Sequence, residues 1–314
     1  MRFDGGLVMG YSPGNLVYLF GSIVSGALLS IVQTVISKDR IKSLSDNLIY
    51  QLFIYVTCAV IMGLFGAKGG TFSTYTIILG CISGLLIVAE VACTLEAFRC
   101  GSMSLTNMFV MAAMIVPIIL SGVLWGERST LPQIIGTVLT LCSMALILNL
   151  YTEFRNRNAG GAQISFGISK RWIVFSFCAF FSAGLQGVVQ KYLTVSDSSS
   201  ELMQFLFVGF LTASVFTALL LAGFIIRKKE KVTMKSSPLL VLAMILSGVL
   251  MSALHLTFMR SLECLPITLA LAGSGGARLI LLTVVDMFLF HQSITKEQLV
   301  GILVGLAAII CISL

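Results

Sequence analysis

Charge is what this sequence has least of: 11% of its 314 residues are Asp, Glu, Lys or Arg, against 57% that are hydrophobic. No soluble domain of this length covers its surface with so few charges, so a water-soluble fold is excluded. Histidine is nearly missing, with two in the chain, and the eight cysteines form no CxxC pair. A zinc site and a disulfide framework therefore lack a ligand set, and Cys58, Cys81, Cys93, Cys100, Cys142, Cys178, Cys264 and Cys311 read as small packing residues. The glycine-rich GSGGAR at 273–278 lacks the Lys-Ser/Thr ending of a phosphate loop. With no ordered Ser/His/Asp set either, neither an enzyme nor a cofactor is expected. No basic segment with a small-residue cleavage site precedes the first apolar run, which is expected to stay as a helix.

What the chain does have is apolar runs of membrane-spanning length, about 20 residues each. Ten can be marked, near 16–37, 48–66, 76–98, 104–125, 131–150, 172–193, 202–226, 239–261, 267–290 and 297–314. Helices are expected, because an isolated strand cannot satisfy its backbone in lipid and the alternation of an outer-membrane barrel is absent. The expected fold class is an all-α integral membrane protein, multi-pass in the plasma or inner membrane, with the lipid bilayer as partner. The formal net charge of +7 is explained by orientation rather than by nucleic acid, since there is no soluble basic domain. Loops after runs 1, 5 and 7 hold Lys38, Arg40 and Lys42; Arg155, Arg157, Lys170 and Arg171; and Arg227, Lys228, Lys229, Lys231 and Lys235. The opposite side has little beyond Arg2, Lys68, Arg128 and Lys191. The first set is expected in the cytoplasm, which places both termini outside.

The chain also repeats itself. SGALLSIVQTVIS at 25–37 matches SAGLQGVVQKYLT at 182–194, aligning Leu28 with Leu185, Val32 with Val189 and Gln33 with Gln190. QLFIYVTCAV at 51–60 matches QFLFVGFLTA at 204–213, and Ser83-Gly84 matches Ser247-Gly248. At the ends of the halves, GERSTLPQIIGTVL at 126–139 matches HQSITKEQLVGILV at 291–304, aligning Thr130 with Thr295, Gln133 with Gln298 and Gly136 with Gly301. Two five-helix halves follow, 1–150 and 151–314. An odd number of spans per half means that the second enters the membrane from the opposite side, so the repeats are inverted around a central cavity, a known plan for transporters. The shared Thr-x-x-Gln has a local meaning as a capping box that starts spans 5 and 10.

This duplicated ten-span plan, with its GE…T..Q..G element joining spans 4 and 5, resembles the EamA-type branch of the drug/metabolite transporter superfamily. The resemblance implies a basket of ten helices, a cavity lined mainly by helices 1, 3, 4, 6, 8 and 9, and secondary transport of amino acids, metabolites, drugs or other small solutes. The chain departs from the pattern where Gln292 stands in the second half against Glu127 in the first.

Charges inside spans cost roughly 2.5–3.5 kcal/mol each and usually face a cavity or a partner. Arg278, near the middle of span 9, has Gly275, Ser274, Leu281 and Leu282 at helical spacing, so no acid on its own helix can pair with it. Asp286 is about 12 Å farther along the axis. Glu90 in span 3 is the mirror case, among Leu86, Ile87, Cys93 and Thr94. The two are expected to meet across the cavity, either paired with each other or divided between the ends of a zwitterionic substrate. Glu96 and Arg99 at the end of span 3 match Arg260 and Glu263 at the end of span 8 with the order swapped. They are candidate gates on opposite faces, or local i,i+3 pairs. Weaker substrate-contact candidates are Gln33, Gln190, Asn107 and His255, the last also a candidate carrier of protons. Gln51 and Gln204 fit an interhelical hydrogen bond as well as a ligand contact. Trp125 and Trp172 read as interface anchors.

The sequence therefore points to a secondary active transporter of a small polar, carboxylate-bearing solute such as an amino acid, with a proton as the candidate coupling ion. Two alternatives stand beside it: a proton-coupled exporter of organic cations, and a membrane subunit or lipid-handling scaffold that transports nothing. Monomer and homodimer are both compatible with the sequence.

Overall fold

A computed structural model describes residues 13–40, 43–66, 72–100, 103–126, 129–147, 170–196, 199–226, 237–290 and 296–313. Among them there is no strand. The helices are α1 (Pro13–Arg40), α2 (Leu44–Gly66), α3 (Thr74–Cys100), α4 (Met103–Ala112), α5 (Ile115–Leu124), α6 (Leu131–Ile147), α7 (Lys170–Val195), α8 (Leu202–Ile226), α9 (Pro238–Cys264), α10 (Ser274–Phe290) and α11 (Lys296–Ser313). With α4 and α5 counted as two parts of one rod, they make ten rods. Six helices, α1, α2, α3, α7, α8 and α9, are long and apolar enough to cross a membrane, and the protein is a multi-pass membrane protein. Large apolar side chains such as Phe20, Leu64, Val123, Leu131, Ile226 and Leu239 stand more than half exposed on its outer surface, which is the surface lipid requires.

Two rods that read as continuous spans are interrupted instead, each for a local reason. Pro117 has no N–H to give to the carbonyl one turn earlier, so the α4–α5 rod breaks at Ala113 and Met114, and the Ala113 carbonyl accepts from Val116 N at 3.0 Å. The rod containing α10 opens with a π-helical turn, Leu269–Gly273, capped where Ser274 N–H is shared between the Ala270 and Leu271 carbonyls. Such wide turns cluster at functional sites. Elsewhere the local signals work as expected. Thr130 N donates to Gln133 Oε1 at 3.1 Å and Gln133 N to Thr130 Oγ1 at 3.4 Å, closing the capping box at the start of α6. Thr295, Glu127, Arg128 and Gln292 lie outside the described residues, as do the charged loops 148–169 and 227–236.

The rods pack in a definite pairing: α1 on α9 and α10, α2 on α8 and α9, α3 on α7 and α8, α7 on α4 and α5, and α6 on α11. Helices in lipid approach closely where small residues meet. A Cβ on Gly84 would stand 2.4 Å from the Gly209 carbonyl oxygen, and one on Gly248 would stand 2.5 Å from Thr57 Cβ. Two apolar clusters result. One centres on Tyr50, Ile54, Tyr55, Phe205, Phe210 and Met259, the other on Leu19, Met114, Met144, Ile147, Leu269 and Ile312. Between them lies a cavity.

Candidate functional site

The cavity has a volume of 510 Å³, within the roughly 300–1,000 Å³ usual for small-molecule sites. Its lining comes from spans 1, 3, 4, 6, 8 and 9, with Gln51 and Tyr55 added from α2 and Met144 from α6. Both irregular backbone segments open onto it, through Ala113, Met114 and Pro117 on one rod and Leu271, Ser274 and Gly275 on the other. Broken helices around a midplane cavity are a recurrent way to place polar backbone and charged side chains inside a membrane protein.

Of the substrate-contact candidates read from the sequence, Arg278, Glu90, His255, Gln33 and Gln190 all line this cavity. Asn107 lies on α4 with its side chain outside the described residues, and so do the side chains of Arg99 and Asp286. Arg278 is laid across α1 where Gly26 leaves room. A Cβ at Gly26 would stand 2.8 Å from Arg278 Cδ and 3.2 Å from Nη1. Glu90 projects from α3 into the same space, and the two charges act on each other across it. They do not touch: no ion pair joins them, and neither makes a hydrogen bond among the described residues. A directly joined Glu90–Arg278 pair, one of the two arrangements the sequence allowed, is not what forms.

An aromatic group backs the acidic wall. Tyr55 stacks on Phe210 with ring centres 6.3 Å apart, and His255 meets the same ring edge-on at 5.2 Å. The opposite wall is flexible and apolar, with Met111, Met114 and Met144; unbranched thioethers adapt to varied shapes.

Of the gating candidates, Glu96, Arg260 and Glu263 are not among the residues that line the cavity. Arg260 Nη1 and Glu263 Oε2 are 2.8 Å apart within one turn of α9, with side chains 40% and 17% exposed, a local pair worth little in that setting. Glu96 sits partly buried on α3 with an interaction of its own. Trp172 is a correction. Instead of anchoring at an interface, it is 5% exposed and donates from Nε1 to Thr106 Oγ1 at 2.9 Å, tying α7 to α4. Residues that sequence reasoning passed over include Gln186, Ser22, Ser30 and Ser274, all in the lining. Gln186 had a signal: it stands one turn from Gln190, with Gly187 between, on the same face of α7. Tyr50, without a role in the sequence, bonds Ser247 Oγ at 2.7 Å between α2 and α9.

At the membrane edge a carboxylate completes a cap from a distance. Glu201 Oε2 accepts from Ser73 N at 3.1 Å and Ser73 Oγ at 2.7 Å, while Ser73 Oγ accepts from Thr76 N at the start of α3. Hydrogen bonds from Thr76 and Ser73 hold the Glu201 carboxyl below its usual range.

No family model matches the chain, and no curated protein matches it. Among solved structures, one crystal structure of a protein aligns over 97% of this chain and 99% of its own, with a TM-score of 0.69 and 16% identity. At that identity the likeness shows a shared fold and no more.

Proposed function

We propose that this protein is a secondary active transporter of the EamA type, moving a small zwitterionic solute such as an amino acid by alternating access. The observation that carries the reading is the pair of opposite charges facing one cavity without pairing. An unpaired guanidinium and an unpaired carboxylate inside a membrane protein are costly unless each serves a function. Arg278 offers its planar donor fork to a substrate carboxylate, and Glu90 accepts the ammonium.

The division into two inverted halves, 1–150 and 151–314, is supported by the packing. Exchanging each rod of the first half with its repeat counterpart turns the α1–α9 contact into α7–α3 and the α3–α8 contact into α9–α2. It also turns α1–α10 into α7 with α4–α5, and leaves α2–α8 and α6–α11 unchanged. Single residues obey the same exchange: Gly136 lies on Ile312 and Gly301 lies on Ile147, the same contact once Gly136 is matched with Gly301. Such an arrangement lets one half rock against the other around a central site.

The test is uptake and counterflow of amino acids by the purified protein in liposomes, with and without a proton gradient. Arg278→Gln should abolish amino-acid transport in a stably folded protein. A second reading draws on Tyr55 and Phe210 behind Glu90, a setting that suits an organic cation. In that case Glu90→Gln loses activity and Arg278→Gln keeps it.

A further inference from the structure

Five buried side-chain polar atoms have no hydrogen-bond partner among the described residues: Ser45 Oγ, Thr94 Oγ1, Ser176 Oγ, Gln186 Oε1 and Glu297 Oε2. Ser45 and Glu297 have other interactions. The remaining three all stand on α3 and α7, the helix pair that carries Glu90.

The register of that pair is marked at two points. Gln186 Nε2 donates to Ser83 Oγ at 2.8 Å, and the Cys93 and Cys178 thiols stand close to each other. Numbers rise along α3 as they fall along α7, so the helices are antiparallel, Glu90 falls between the two points, and Thr94 and Ser176 stand at the same level of the pair. Hydroxyls in helices ordinarily bond a carbonyl one turn back, as Ser30, Thr140 and Ser252 do at 2.9, 2.9 and 2.8 Å. Thr94 and Ser176 do not, although Ser176 is fully buried. A buried polar group left unpaired is costly and calls for a partner, and ordered water in a polar gap is the usual one. Three such groups stand on this helix pair, on both sides of the level of the cavity-facing Glu90.

We propose that the α3–α7 seam is a hydrated proton path to Glu90. It leads from the end of the pair where α3 finishes and α7 begins. Ser176 lies six residues into α7, about 9 Å from that end. Along the path a water gives a proton to a Glu90 carboxylate oxygen and takes one from the next water or hydroxyl. One O–H bond forms at Glu90 for each broken at the water, and the net proton enters from solvent. Arg278 from α10, His255 from α9 and Tyr55 from α2 also face Glu90 across the cavity, and Cys93 and Cys178 flank the seam. As the coupling route of a carrier the path rests on the transporter reading; as a proton-access site it is testable without any solute.

The experiment uses the full chain in liposomes and follows the carboxylic-acid infrared band of Glu90, assigned by its loss in Glu90→Gln, during a pH titration and on transfer to heavy water. The band should exchange deuterium rapidly in the wild type. Thr94→Val combined with Ser176→Ala should slow that exchange at least about tenfold, and Thr94→Ser should not. Should the double variant fail to fold, Ser176→Ala alone should still slow exchange measurably. Equal exchange in wild type and variant, or no Glu90 acid band at any pH, overturns the path. Rapid exchange blocked by the variant, in a protein that moves no solute, sinks the transporter reading and leaves the path standing.

Discussion

Where α6 crosses α11, glycine closes the gap, and Ser143 and Gln298 each donate to a backbone carbonyl across it. A Cβ on Gly136 would stand 2.5 Å from Ile312 Cγ1, one on Gly301 would stand 2.8 Å from Ile147 Cγ1, and Ser143 Oγ donates to the Gly301 carbonyl at 2.7 Å. Where α3 crosses α7, glutamine, glutamate and two hydroxyls line the contact, three of their polar atoms stay unpaired, and the cavity opens alongside. Both crossings join the first half of the chain to the second. Lipid supplies no hydrophobic drive between helices, so a crossing meant to hold must rely on close packing and satisfied hydrogen bonds. The α6–α11 crossing meets that demand, and the α3–α7 crossing gives up part of it, leaving polar groups unpaired beside the cavity.

The contrast can be broken from either side. The largest effect is expected at the cavity: Arg278→Gln should weaken binding of a carboxylate-bearing ligand by about 2–5 kcal/mol, the range for losing one partner of a desolvated charge contact, while the melting temperature stays near that of the wild type. At the tight crossing the pattern reverses. Gly136→Val or Gly301→Val should destabilise the fold by about 1–3 kcal/mol through overpacking, read as a lower melting temperature in detergent, without selective loss of ligand affinity. Ser83→Ala should cost about 1 kcal/mol of stability, since it leaves Gln186 Nε2 without its acceptor. Gly26→Ala should leave stability close to wild type yet reduce ligand affinity, because the added methyl must displace the Arg278 side chain that it would meet at 2.8 Å.

The smallest effect is at the membrane edge. Hydrogen bonds hold the Glu201 carboxyl below its ordinary value of 4.5 in the folded protein. Its contribution to stability is therefore present above about that pH and lost as pH falls through the lowered folded value. Glu201→Gln should flatten this acid limb of the melting-temperature profile and change little near neutrality, a result to be read from thermal melts across the acid range.

The helical rods were legible in the sequence because they rest on a pattern that survives in composition, apolar length; the paired glycines and glutamines half a chain apart are what suggested the repeat. Arg278 and Glu90 were legible because an unpaired charge in an apolar run has few structural excuses. The breaks were not read, although Pro117 was in plain view, since proline is tolerated in membrane helices and does not by itself say whether a rod kinks or stops. Trp172 misled because an aromatic near a span end has two ordinary fates, and only the position of Thr106 on a distant rod decides between them. The same limit hid Gln186 and the Thr94–Ser176 register, which depend on how α3 and α7 face each other.

The most direct test of the central claim is a thermal-shift comparison with three probes: an α-amino acid, the matching amine without its carboxylate, and the matching carboxylate without its ammonium. A ligand that binds the folded protein alone raises its melting temperature. The wild type should respond most to the amino acid, Arg278→Gln should keep only the response to the amine, and Glu90→Gln only the response to the carboxylate. If the amine stabilises the wild type as well as the amino acid does, and Arg278→Gln changes nothing, the two charges do not share a zwitterion and the account is wrong.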